Sequence, residues 1–271
     1  MALMTPESAI RIPVDRAVAL ATRAALAPTS LILSGFRNPN LSVEHKSDGS
    51  PVTEFDRRAE RSIREVLGSE DPAWPVLGEE YGGDTTGSPF RWVVDPIDGT
   101  MPFSRGLPYF GTLVALEETA VGRALAGAIQ LPAFGELYTA GSGLGARCNG
   151  EPIRVAPRRE LSDCLLSAPE VQKFRKAGLD EGYERLGSVV RYFRGNGDCW
   201  MHAMAARGAV DAVIEFSLNR WDIAATEIIV TEAGGLVVKR ASRSVPGKVD
   251  TVFGNPYAVE RILELLDFRP E

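Results

Sequence analysis

Cysteine and histidine are scarce. The 271-residue chain holds three cysteines and two histidines. Cys148, Cys164 and Cys199 are far apart, odd in number and without a CxxC pair, so neither a disulfide framework nor a structural zinc site is expected. His45 and His202 lack ligand-spaced partners and read as ordinary structure, although His202 falls on a helix expected to border a substrate pocket. Positive charge is also short: 30 Lys and Arg against 36 Asp and Glu leave a net charge of −6. That balance argues against a dominant nucleic-acid-binding surface. No apolar run approaches the roughly 18 residues of a membrane helix. The opening MALMTPESAIRIP has acid and proline where a signal peptide needs an apolar stretch. The expectation is a reduced, cytoplasmic protein with neither nucleic-acid nor membrane partner. Walker-type lysine patterns, repeats and low-complexity segments are missing as well. GSGLG at 141–145 runs into ARCNGEP, a hairpin sequence and not a helix, so a dinucleotide loop is excluded there.

What remains is a sequence of alternating textures. Apolar positions at helical spacing occupy residues 6–35 (Ala9, Ile10, Val14, Ala17, Val18, Ala21, Ala25), ending near Ser34-Gly35. A polar loop or hairpin follows. TEFDRRAERSIREVL then reads as an amphipathic helix with Phe55, Ala59, Ile63 and Val66/Leu67 on one face. WPVLGEEYGG is a short strand entering a loop, and RWVVDPIDGT is a second. From residue 106 onward, YFGTLVALEE, RALAGAIQLP, GELYTAGSG and GARCNGEPIRV read as an antiparallel sheet punctuated by Gly and Pro. CLLSAPE, SVVRYF, VDAVIEF and LVVKR add strands. CWMHAMAARG, RWDIAATEIIVTEAGG and PYAVERILELLDF add helices. This predicts layered α/β structure in one unit, with an N-terminal lobe over 1–150 and a C-terminal lobe over 151–271.

The acids carry the chemistry. Asp95 and Asp98 stand just past an apolar strand, around a proline that biases Asp95 toward extended geometry. Gly99 permits close backbone approach. Thr100 followed by Pro102 resembles a helix start, whose free N–H groups cradle phosphate. Two carboxylates about 4 Å apart repel by roughly 1–4 kcal/mol, and a bound cation is the simplest relief. An Asx turn with a helix cap remains open as the alternative. Glu79 and Glu80 also lie at a strand end. Asp56, three residues after Thr53, suits a capping box, and Asp222 suits an N-cap. As hard oxygen ligands at element ends, Glu79, Asp95, Asp98 and Asp222 suit magnesium beside a substrate phosphate.

GEE at 78–80, DPIDGT at 95–100 and WDIAA at 221–225, with SPVTEFD at 50–56 upstream, resemble the inositol monophosphatase family in order and spacing. The resemblance spans roughly residues 45 to 240. It implies the layered αβαβα sandwich of the inositol monophosphatase and fructose-1,6-bisphosphatase type, a homodimer, and magnesium-dependent hydrolysis of a phosphate monoester with two or three Mg2+ ions. It further implies metal ligands at Glu79, Asp95, the Ile97 carbonyl, Asp98 and Asp222. Water would be positioned or deprotonated by Thr100 with Glu79 and Asp56, and phosphate held on the N–H groups of Gly99 and Thr100. Lithium inhibition is a further implication. Met101-Pro102 departs from the polar pair many members place after DGT, which removes side-chain contacts there but leaves the acids intact.

GDCW and PYFGTLVAL resemble the histidinol-phosphate phosphatase branch of this family. Asp198 stands where inositol phosphatases are small, and Glu215 at the family's substrate-contacting acid. Two acids suit an ammonium or imidazole, through charge-assisted hydrogen bonds. Histidinol phosphate is therefore the leading substrate. Inositol 1-phosphate, or a broad range of sugar and nucleotide phosphates, is the alternative, since acids also accept hydroxyl hydrogen bonds. Asp198 also reads as a helix N-cap and Glu215 as a salt-bridged strand end. Arg191 and Arg194 read as solvated or phosphate-steering. Haloacid-dehalogenase-type phosphatases need a D-x-D nucleophile, and Asp95 and Asp98 are three apart. A non-catalytic phosphate- or metal-binding module fits less well, because every acid and the threonine of the motif are retained.

Overall fold

The computed structural model describes residues 13–70, 73–83, 85–195 and 197–269. The N-terminal helical stretch is two helices, α1 (Val14–Leu26) and α2 (Thr29–Gly35). They separate at Pro28, which has no N–H to extend the first hydrogen-bond ladder. Ala9 and Ile10 of the expected helix lie outside the described residues. Contrary to the sequence-based expectation, residues 14–35 are long and apolar enough to qualify as a membrane crossing, with mean hydropathy 1.4. Arg23 and Pro28 interrupt that run without ending it. One face of α1 (Ala17, Leu20, Ala21, Ala24, Ala25) is committed to the protein core.

A two-strand hairpin, β1 (Glu44–His45) and β2 (Pro51–Val52), fills the polar segment and leads to α3 (Glu54–Glu70). Phe55, Ala59, Ile63 and Leu67 of α3 are buried, as their spacing predicts. Next come β3 (Val76–Gly78), β4 (Phe90–Asp98), the short α4 (Thr100–Ser104), and β5 (Gly111–Glu118). β6 (Arg123–Leu131), β7 (Glu136–Gly141), β8 (Gly145–Cys148) and β9 (Glu151–Pro152) follow. β3 to β9 form one seven-stranded sheet in sequence order, parallel between β3 and β4 and antiparallel elsewhere.

The second half opens with β10 (Leu165–Ser167), α5 (Val171–Lys176), α6 (Asp180–Val189) and β11 (Tyr192–Arg194). Ser188 and Val189, expected in a strand, instead finish α6. α7 (Asp198–Ala206), β12 (Ala212–Leu218), α8 (Arg220–Glu232), β13 (Leu236–Ala241), β14 (Val249–Gly254) and α9 (Pro256–Leu266) complete the chain. Its five-stranded sheet runs β11-β10-β12-β14-β13, parallel across the first three strands and antiparallel across the last three.

Side-chain alternation along the strands generates the layers. Trp92 and Val94 of β4 face α1 and α3, whereas Val93 faces the opposite way into a cluster with α7 and α8. Val213 and Phe253 of the second sheet enter that same cluster. Their neighbours Ala212, Ile214 and Val252 point outward against Phe174, Leu186, Val259 and Ile262 of α5, α6 and α9. The order is α–β–α–β–α, as expected. α8 is buried between the sheets along most of its length, from Ile223 to Val230, so Asp222 enters the site from a fixed scaffold.

Candidate active site

In a regular strand, residues three apart point to opposite faces. Asp95 and Asp98 do not. The pairing with β5 runs Asp95 to Leu113 and Asp98 to Gly111, three residues against two, so a bulge at Pro96-Ile97 turns both acids toward one place. The two acids therefore lie within the end of β4, not beyond it as the sequence suggested. Asp222 joins them from the first turn of α8, and one oxygen from each of the three carboxylates lies within 4.8 Å of the others.

Each acid is held differently. Asp222 accepts the Asn219 N–H at 2.7 Å as the acidic member of a capping box, so the N-cap is Asn219 and not Asp222. Asp98 accepts the main-chain N–H of Cys199, in the first turn of α7. Asp95 is buried, and its Oδ1 has no hydrogen-bond partner. Burial, together with Glu79, Asp98 and Asp222, drives the Asp95 carboxyl well above the usual range. Asp98 is raised by burial and by Asp198, Asp222 and Glu215. Asp222 is pushed up to about 7 by burial against the pull of the Asn219 N–H, with Glu79 and Glu215 adding to the rise. An orphaned buried oxygen beside two further carboxylates is a donor set that fits a hard divalent cation.

Glu79 approaches from the loop after β3. Lys46, on the β1–β2 hairpin, donates to Glu79 at 2.9 Å and to Glu80 at 2.6 Å, placing a protein cation against the cluster. Burial opposes charge on Lys46, but the two glutamates outweigh it and raise the ammonium pKa. Glu80 is pushed up to about 7 by burial, with Lys46 opposing. Beneath the loop, the fully buried Glu60 accepts the N–H of Glu80 at 2.7 Å and of Tyr81 at 3.3 Å, and thereby sets the path of the GEE turn. Gly78 is required here, because a Cβ would stand 2.0 Å from Glu60 Oε1.

Thr100 is the first residue of α4, and the N-cap is Gly99 in a left-handed conformation (φ 86°), so the expected Thr100 cap is displaced by one. That frees the hydroxyl, which lies 2.9 Å from Asp56 Oδ1 and 3.1 Å from the Ile97 carbonyl. Asp56 is also the capping-box acid of α3: Oδ2 accepts the Thr53 N–H at 2.8 Å and the Thr53 hydroxyl at 2.6 Å. Burial raises its carboxyl pKa despite these bonds. A Cβ on Gly99 would meet the Tyr109 carbonyl at 2.6 Å, so the glycine serves both its backbone angle and this close approach.

A cavity of about 880 Å3 opens beside this cluster, lined by Glu79, Gly99 and Thr100 together with Asp198 and Glu215. Asp198 is not the cap of α7; Gly197 is, and Asp198 takes a positive φ of 60°. Its carboxyl is raised to about 6 by burial and by Glu215. Glu215 accepts the Asp198 N–H at 3.2 Å. Burial pushes Glu215 up, but His202, Lys173 and the Asp198 N–H together outweigh it and hold this carboxyl below its usual value. Lys173, Glu170, Tyr183 and Phe193 also line the cavity. Glu170 and Phe193 fall within CLLSAPE and SVVRYF, expected as strands, whereas Lys173 and Tyr183 belong to the α5–α6 region, which sequence reading left unassigned. The VQKFRK and DEGYERL patterns carried its helical signal. Lys46 and Glu60 were missed because each acts through another residue's carboxylate or N–H. His45 takes part in the hairpin strand β1 and is exposed; His202 is buried.

With this geometry in place, the likeness to known proteins is direct. Residues 14–270 match the inositol monophosphatase family. A histidinol-phosphatase of Mycobacterium tuberculosis is 38% identical over 224 residues, covering 81% of this chain and 84% of that protein. An inositol-1-monophosphatase of Rhizobium meliloti is 34% identical over 233 residues, covering 84% and 86%. The structure of an inositol monophosphatase from Zymomonas mobilis superposes with a TM-score of 0.81 at 30% identity, covering 95% of this chain and 100% of that one. The chain belongs to the inositol monophosphatase family, phosphatases that hydrolyse phosphate monoesters.

Proposed function

We propose that this phosphatase is magnesium-dependent and acts on histidinol phosphate, or on a closely similar ester with a cationic nitrogen in its alcohol portion. The observation that carries the substrate reading is the pair Asp198 and Glu215 on the wall of the cavity that Gly99 and Thr100 also line. An ammonium or imidazolium between two carboxylates gains charge-assisted hydrogen bonds that a polyol hydroxyl does not. Phe193 and Tyr183 meet edge to face at 5.8 Å and add an aromatic wall to the cavity, against which a ring can pack. A homodimer in the cytoplasm, and inhibition by Li+ at a metal position, complete the reading by family resemblance.

Glu79, Asp95, Asp98, Asp222 and the Ile97 carbonyl would hold Mg2+, in two or three ions. Bound there, divalent metal supplies neutralisation of phosphate charge and a lowered pKa for attacking water. The chain's own part is orientation. Thr100 donates its hydroxyl proton toward Asp56, which would leave its oxygen free to accept from a water. Glu79 and Asp56 are the bases able to receive that water's proton. Gly99 and Thr100 N–H groups would steady the phosphate, and Asp198 with Glu215 would fix the leaving alcohol. A covalent phosphoenzyme is not part of this route, so labelled water should place its oxygen in phosphate within a single turnover.

The test is phosphate release with Mg2+ on histidinol phosphate and inositol 1-phosphate side by side. A preference for histidinol phosphate of about a hundredfold in kcat/KM, roughly 2.7 kcal/mol of discrimination, is expected. Equal rates, or preference for inositol 1-phosphate, would reject the cationic reading and leave the phosphatase core in place.

A further inference from the structure

A buried histidine stands behind Glu215. His202 is 1% exposed and sits on α7, one turn after Asp198, with its ring edge-on to Phe253 at 5.0 Å. Its Nδ1 is 2.8 Å from the Thr226 hydroxyl on α8. Its Nε2 is 3.3 Å from Glu215 Oε2, an ion-pair distance without full hydrogen-bond alignment. Thr226 is buried too, so hydroxyl, ring and carboxylate make a polar line from the inter-sheet helix to the cavity wall. Glu215 Oε1, on the other side, accepts the Asp198 N–H at 3.2 Å. Gly197 leaves room for it, since a Cβ at that residue would stand 2.7 Å from Oε1.

The ring does not need to turn to serve this line. When neutral with its proton on Nε2, it faces that N–H to Glu215 and accepts the Thr226 hydroxyl proton at Nδ1. When protonated, it donates from both nitrogens, and the same hydroxyl becomes the acceptor. In either state Nε2 carries a proton at ion-pair distance from the carboxylate. Without such a partner, a carboxylate buried next to Asp198 would swing away from its like-charged neighbour or take up a proton. Neither outcome leaves an oriented anion for a ligand.

We propose that His202 is a positioning residue: with Thr226 behind it, it fixes Glu215 so that the cavity selects an ester whose leaving alcohol carries a cationic nitrogen. The role rests on the reading of Glu215 as a substrate residue. It also goes beyond that reading, because His202 touches only Glu215 and Thr226 in this line and acts through the carboxylate.

A double-mutant cycle tests it. Initial rates are measured for the full-length enzyme, His202→Asn, Glu215→Gln and the double variant, each with histidinol phosphate and inositol 1-phosphate. His202→Asn is expected to raise KM for histidinol phosphate about tenfold, the worth of one charge-assisted hydrogen bond, with kcat within about threefold. KM for inositol 1-phosphate should move far less. In the Glu215→Gln background the same substitution should add almost nothing. His202→Gln, which returns a donor near the Nε2 position, should recover part of the loss. A full additional loss in the double variant, or equal losses on both esters, overturns the proposal. Should His202→Asn fail to fold, Thr226→Val keeps the ring and removes its anchor. A smaller rise in KM for histidinol phosphate is then expected, and no change overturns the proposal. Failure of the substrate reading is distinguishable, since it shows as a wild-type preference for inositol 1-phosphate, and the cycle run on that ester still reports whether His202 works through Glu215.

Discussion

Two sets of buried carboxylates in this molecule are treated in opposite ways. Glu117, fully buried on β5, is met by Arg91 through Nε at 2.9 Å and by Arg220, which also pairs with Glu227 at 2.6 Å. Asp250 is likewise buried against Arg240 at 3.3 Å. Each of these acids brings its cation from a neighbouring element. Asp95, Asp98 and Asp222 gather within 4.8 Å of one another, and their pKa values rise as a result. Lys46 is spent on Glu79 and Glu80, and Lys248 lowers the Asp222 pKa without cancelling its rise. A buried charge left unpaired costs several kcal/mol, so an arrangement that leaves three together has a use for an external cation. Paired acids hold the sandwich shut; on the proposed reading the unpaired ones carry the chemistry.

Substitution separates the two sets most strongly at Asp95. Asp95→Asn should lower kcat/KM on the order of a thousandfold, in the range known for removal of one stabilising group at a reacting centre. It should also raise the Tm of the metal-free protein, because a repelling carboxylate is gone. Steady-state assays at saturating Mg2+ and thermal melts in chelator check both parts. Unchanged turnover would remove Asp95 from the site. Glu117→Gln should do the reverse. Breaking a buried pair costs roughly 3–5 kcal/mol, a fall of about 10 °C in Tm, while kcat/KM below the melt stays within a few fold. A turnover loss comparable to that of Asp95→Asn would show the two sets to be one.

Acid dependence sharpens the same contrast. Native Asp222 holds its proton up to about pH 7, whereas unfolded aspartates release theirs near pH 4. Between those values the native chain binds more protons than the unfolded one, so stability falls as pH rises. Melts in chelator should show Tm dropping by roughly 5 °C from pH 5 to pH 8, and Mg2+ should restore it at the upper end. A Tm that climbs over this range without metal would mean that the carboxylates are already neutralised inside the chain.

The layer order was legible because strand alternation and α3's spacing are local signals. The acids were legible as types at given positions, but their convergence was not. It depends on the Pro96-Ile97 bulge, which cancels the opposite-face rule, and on α8 entering between the sheets. The Thr53–Asp56 capping box falls where its spacing puts it, but three other caps were misplaced by a short step. Gly99, Gly197 and Asn219 take the cap positions, which frees Thr100 and Asp198 to line the cavity and leaves Asp222 within the cluster. The α5–α6 wall escaped because its helices are short and polar on one side. Lys46 meets its partners across 33 and 34 residues of sequence, where no periodicity connects them.

The smallest effect falls at Asp198 and Glu215, where the acids are partly compensated. Asp198 has Glu215 as neighbour, and His202 and Lys173 pull its carboxyl pKa down without cancelling the rise to about 6. Asp198→Ala therefore removes the proposed recognition charge and none of the proposed metal ligands. Loss of one charge-assisted contact is worth about 1.5–3 kcal/mol, so kcat/KM for histidinol phosphate should fall on the order of ten- to a hundredfold. Inositol 1-phosphate, whose hydroxyl finds other acceptors on the wall, should lose no more than a few fold. Parallel kcat/KM measurements on the two esters decide it. Equal losses would make Asp198 a support for α7, and the division between catalytic and recognition acids would then fall at Glu215 alone.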